Sequence, residues 1–167
     1  MSDLAVVKAS SDGIFMYANK INFNGNGIDV YHFYSWTSSE VSIDVTGTDT
    51  IYVKSQFRMY PSSNTHLTLG DANTDSSTFN AGITATAPSG VTLAGTIQTS
   101  GDTISIGDSN TPITLAANTI VDGNTAGAIT LAGATNGGYS LTLNTTGTTT
   151  LSAEIGGSTP LTTLTTN

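Results

Sequence analysis

Residues 127–167, GAITLAGATNGGYSLTLNTTGTTTLSAEIGGSTPLTTLTTN, are the stretch that decides the architecture of this chain. Short runs, such as Ile129-Thr130-Leu131, Tyr139-Ser140-Leu141-Thr142-Leu143 and Leu161 to Leu164, are separated by Gly, Asn, Thr and Ser. Within each run apolar residues alternate with Thr or Ser, the period-two pattern of an extended strand with one buried face. The run centres, near residues 130, 141, 150 and 162, recur about every 9 to 12 residues, which leaves no room for crossover helices. Runs this short cannot each close a core. They become stable when stacked on similar runs, as in a parallel β-solenoid.

Composition agrees with that reading. The chain has 167 residues, of which 10% are charged and 37% hydrophobic, so it lacks the low hydrophobicity and high charge of a disordered chain. It has no cysteine, which excludes disulfide staples, a thiol nucleophile and a thiolate metal site. No apolar run of 18 residues spans a membrane. The first residues, MSDLAVVKASSDG, carry no basic segment followed by a long apolar one, so no N-terminal secretory signal is expected.

Charge divides the chain. Residues 1–60 hold all four cations, Lys8, Lys20, Lys54 and Arg58, with six acids; residues 61–167 hold six acids and no Lys or Arg. Such a surface repels phosphate, so neither nucleic acid nor an anionic membrane is an expected partner. Residues 1–60 also hold nine of the eleven Phe and Tyr and the only Trp. Their runs, Ile14 to Tyr17, Ile21 to Phe23, Ile28 to Trp36, Val41 to Val45 and Ile51 to Tyr60, are broken by turn sequences such as Asn24-Gly25-Asn26-Gly27. They predict a small aromatic-rich antiparallel β head or cap, with Met16 to Lys20 able to form one helical turn. From Pro61 onward about one position in four is Thr. The expected fold is therefore all-β: a head over 1–60, then a Thr-rich, right-handed parallel β-solenoid over 61–167. LTLGDANT at Leu67 to Thr74 and ISIGDSNT at Ile104 to Thr111 are related segments 37 residues apart, consistent with a repeat or with two rungs of about 18 to 19 residues.

The block from Thr125 to Asn167, with GAITLAG, SLTLN-TTGTTTLS and IGGSTPLTTLTT, resembles the β-strand repeats of giant bacterial surface adhesins of the filamentous-haemagglutinin-like kind. Leu67 to Ile83 resembles repeats of phage tail fibres and of very large marine bacterial surface proteins. The likeness is good over about a quarter of the chain and loose over about 100 residues, and residues 1–60 match no recognised family. It implies a structural module of an extracellular fibre or cell-surface adhesin. Leu161-Thr162-Thr163-Leu164 ends in mid-pattern with no charge or Pro behind it. An edge of that kind invites pairing with further repeats or another subunit. The alternatives are a trimeric phage tail-fibre connecting or receptor-binding fragment and a calcium-dependent carbohydrate-binding module.

Candidate chemistry is sparse. Asp71, Asn73 and Asp75, echoed by Asp108 and Asn110, alternate oxygen ligands in turns and are the candidate calcium ligands. They match neither the EF-hand loop nor the nonapeptide of calcium-binding β-rolls, and Asp and Asn also cap tight turns with no metal. Tyr31, Tyr34 and Trp36 are the candidate glycan-stacking residues, although alternation buries one side of that strand. His32 and His66 sit in no catalytic motif, no nucleophile elbow is present, and no enzymatic activity is expected. Thr84-Ala85-Thr86 and Thr148-Thr149-Thr150 resemble ice-binding faces but keep no constant rung spacing, so they read as ordinary Thr ladders.

Overall fold

The computed structural model describes residues 66–167 in full and, before them, the backbone of strands at 6–10, 13–24, 28–30, 33–44, 50–53 and 57–61. The described residues contain no helix. In chain order the first six strands are β1 (Val6–Ser10), β2 (Gly13–Asn24), β3 (Ile28–Val30), β4 (Phe33–Asp44), β5 (Thr50–Val53) and β6 (Phe57–Pro61). There follow β7 (His66–Leu69), β8 (Ser76–Phe79), β9 (Ile83–Ala85), β10 (Gly90–Thr99), β11 (Ile104–Ile106) and β12 (Ile113–Asp122). The last are β13 (Ile129–Leu131), β14 (Thr135–Asn136), β15 (Ser140–Asn144), β16 (Thr149–Leu151) and β17 (Thr163–Thr166).

Pairing winds these strands into a parallel β-solenoid of about five turns. Each turn has three faces. The first stacks β4, β7, the start of β10, the start of β12 and β14. On the second lie β5, β8, the end of β10, the end of β12, β15 and β17. The third face stacks β6, β9, β11, β13 and β16. Strand runs near 130, 141, 150 and 162 are all present, as β13, β15, β16 and β17.

Three expectations need correction. The head expected over 1–60 is not an antiparallel unit: only β1 and β2 pair antiparallel, while β2–β4, β3–β5 and β4–β6 are parallel. Parallel pairing also runs across residue 61, from β4 to β7 and from β5 to β8. Met16 to Lys20 lies inside strand β2, which absorbs its irregularity as a register shift between Ala18 and Lys20. Finally, the offset between LTLGDANT and ISIGDSNT is not a rung, nor two. Leu67, Val91, Ile113, Thr135 and Ile155 occupy one column, so each turn is shorter than that offset and longer than half of it. Ile104 belongs instead to the third face, between Ile83 and Ile129. The two related segments share turn chemistry, not a face.

Alternation explains what is inside. Leu69, Leu93 and Leu115 form one buried ladder, Ile83, Ile104 and Ile129 a second, and Ile97, Val121 and Leu143 a third. Rungs sit about 4.8 Å apart, so each inward side chain rests on the equivalent one below. Outward positions carry hydroxyls, as in the column Thr84, Ser105, Thr130 and Thr150 on the third face. Thr suits them because its branched Cβ favours extended backbone.

Corners are turned by backbone rather than by long loops. β10 serves two faces because its register shifts between Leu93 and Gly95. Gly95 has φ of 69°, and a Cβ there would lie 2.3 Å from the carbonyl oxygen of Asp75. Only glycine fits that corner.

Ile104→Ala removes the middle of a ladder buried on all sides and should cost about 2–5 kcal/mol of stability. Thr130→Ala, one rung on but outward, should change it by less than about 0.5 kcal/mol. Urea unfolding followed by circular dichroism measures both.

Candidate functional site

The acidic turns are built by the strands they join. Gly70 to Asp75 carries the chain from the first face to the second, between β7 and β8. Asp75 is inward-facing and only 2% exposed. Its Oδ2 accepts hydrogen bonds from the backbone N–H groups of Asp71 (2.8 Å) and Ala72 (2.9 Å). Its main-chain carbonyl accepts the N–H of Thr96 in the next rung at 2.8 Å. Asp75 therefore closes the turn from inside, with Oδ1 buried and without a partner. Asp71 and Asn73 are exposed.

Asp108 lies at a different edge, between the third face and the first. Its Oδ1 accepts the N–H of Asn110 at 2.8 Å and the hydroxyl of Thr111 at 3.0 Å. These bonds, the Asn110 N–H first, hold its carboxyl below the ordinary aspartate value. The two turns thus use Asp in the same way, as an acceptor for backbone donors that a tight bend strips of partners. They leave from separate edges and are not brought together. Among the described residues no group of three or more His, Asp or Glu side chains is placed to share a metal ion.

No protein-family model matches the chain, and no curated protein or solved structure is significantly similar to it.

Tyr31 and His32 lie outside the described residues, as do the side chains of Tyr34 and Trp36; their strand β4 pairs Tyr34 with Arg58 and Trp36 with Tyr60. His66 is half-buried, its Nε2 2.9 Å from the hydroxyl oxygen of Thr92 on the rung above. His66 is in register with Gly90, so the contact crosses diagonally to the outward column of Thr68, Thr92 and Thr114 and ties two rungs together.

The second face carries a polar column that sequence spacing did not reveal. Thr78, Gln98, Asp122 and Asn144 occupy one outward register position on β8, β10, β12 and β15. Gln98 Nε2 donates to Thr78 Oγ1 at 2.8 Å, and Asn167 Nδ2 donates to Asn144 Oδ1 at 2.7 Å. Ladders of this kind are expected where amide and hydroxyl side chains stack in register. Each member comes from a different turn, and the turns differ in length, so only the length of each turn could have pointed to them.

Asp75→Ala leaves two turn N–H groups without an acceptor and should cost about 2–4 kcal/mol, with Asp75→Asn costing less. Because Oδ2 is committed to those donors and no group of three His, Asp or Glu gathers there among the described residues, millimolar Ca²⁺ should leave the melting temperature of the wild-type chain unchanged; a rise lost in Asp75→Ala would point to calcium.

Asp108→Ala should lower stability at neutral pH. Since folding depresses this pKa, the deficit should shrink as pH falls from the ordinary aspartate value, about 3.9, through the lowered one. Thermal melts of both proteins over an acid series measure it.

Proposed function

We propose that the chain is a structural module of an extracellular fibre or bacterial surface adhesin. In this reading it is a non-enzymatic, rigid β-solenoid rod that makes subunit–subunit or cell-surface contacts. The observation that carries the reading is the outermost described strand, β17. All four of its residues are exposed, and Leu164, which stacks on Leu141 toward the interior, is 45% exposed. No charge or Pro interrupts 161–167, so these residues carry no feature of their own that blocks pairing. A second copy or a further turn of the same kind is the natural cover for it.

The remaining surface supports the same reading. Residues 61–167 present acids, hydroxyls and amides without a single cation. That exterior stays solvated, while stacked backbone ladders resist local opening. The resemblance of 125–167 to adhesin repeats points the same way.

Negative-stain electron microscopy and sedimentation of the purified chain test the proposal. Rods or end-joined polymers that grow with concentration are expected, and Leu164→Lys with Thr165→Lys should restrict them to single copies. Compact monomers at all concentrations, or polymers indifferent to those substitutions, would overturn it. A tight trimer would favour the tail-fibre arrangement instead.

A further inference from the structure

The connection from the second face to the third is not uniform along the solenoid. It takes three residues after β8 (80–82), four after β10 (100–103), six after β12 (123–128) and four after β15 (145–148). The longest excursion forms a lip of exposed Asn124, Thr125 and Ala126, with Asn124 at φ of 54°. The lip is closed by the N–H of Gly127 donating to the carbonyl oxygen of Gly123 at 2.9 Å. Gly127 is required there, since a Cβ would lie 2.1 Å from the carbonyl oxygen of Asp102. Hydroxyls of the next rung fasten the lip: Thr145 Oγ1 donates to the carbonyl of Gly127 at 2.6 Å, and Thr146 Oγ1 to that of Thr125.

Beside this lip lies an open cleft of about 320 Å³. Its wall includes the end of the polar column, Asp122 and Asn144, together with Asn167 and Asn124. Asp122 Oδ1 accepts the N–H of Asn124 at 2.7 Å, which orients the carboxylate. Its second oxygen, Asn144 Nδ2 and Asn167 Oδ1 are left as donors and acceptors without a partner among the described residues.

We propose that this cleft binds a neutral glycan, a chain of uncharged pyranose units lying along the solenoid axis. A sugar hydroxyl is at once donor and acceptor, and is matched by amides, which are both, and by a carboxylate oxygen, which accepts. Rungs about 4.8 Å apart place one such side chain near each successive sugar, a spacing close to the length of one pyranose residue. Phosphorylated, sulfated and uronic acid chains are repelled, because residues 61–167 offer no cation and Asp122 sits in the wall. The single carboxylate is too little for a metal ion. With no aromatic ring in the wall, binding rests on hydrogen bonds and stays weak. The residues of the site come from one copy, and Asn167 borders the β17 edge on which the rod reading places the next turn, so the titration is read at concentrations where the chain is monomeric.

Titration of the full chain with cellohexaose, maltohexaose and xylohexaose, followed by NMR shifts or calorimetry, tests it, with oligogalacturonate as the anionic counter-probe. At least one neutral hexamer should bind in the millimolar range. Asn144→Ala and Asp122→Ala should each weaken it about tenfold, the equivalent of one good hydrogen bond. Thr130→Ala on the third face should leave it unchanged. Failure of all three neutral hexamers at millimolar concentration would overturn the proposal. Equal binding by the two cleft variants, or by oligogalacturonate, would overturn it as well.

Discussion

Register is the constraint on which everything else in this molecule depends. Parallel stacking places Ile129 over Ile104 and Ile104 over Ile83, so one strand's position dictates the contents of the next. A slip by one residue would turn every inward Ile or Leu to solvent and every outward Thr to the core. The two interactions reinforce each other, because the backbone ladder holds the side chains in columns and buried columns hold the ladder. Neither suffices alone, since a strand of three residues such as β11 or β13 makes few hydrogen bonds and buries two side chains.

That constraint also explains where polar groups enter the interior. Thr119 and Thr135 are buried, and each returns its hydroxyl to a nearby carbonyl, of Ala117 and Gly133 respectively. Asp75 occupies an inward position that stacks next to Gly95, which has no side chain, and its carboxylate turns into the bend between β7 and β8. The corners are thus assembled from short polar side chains that satisfy backbone groups and from glycines that let rungs approach. One oxygen of that carboxylate, Oδ2, is taken up by backbone N–H groups.

Outside the column, rigidity and chemistry separate. Faces present repeated hydroxyls and amides at fixed spacing, while the connections vary in length without disturbing the stack. The six-residue lip after β12 shows how such a fold acquires a recess, by lengthening one corner against neighbours that keep theirs short. An exterior without cations over 61–167 then restricts what can lie against it.

The amino-acid order by itself determined strand character, the parallel stack and the polar exterior. Alternation at Ile129-Thr130-Leu131 and Leu141-Thr142-Leu143 is a local property, readable without neighbours. It also marked Asp75 and Asp108 as turn residues, because Asp in a bend acts on backbone groups a few positions away. Only the tertiary structure decided the number of faces, the length of each turn in the Leu67 column and the parallel pairing of the first strands. Those follow from which run lands on which, and β14, with Thr135 buried in a column shared with Leu67, Val91, Ile113 and Ile155, carries no hydrophobic signal to announce a face. Asp122, Asn144 and Asn167 gather into one wall for the same reason: residues a full turn apart become neighbours when the chain coils, and their spacing in the sequence depends on corners whose lengths vary.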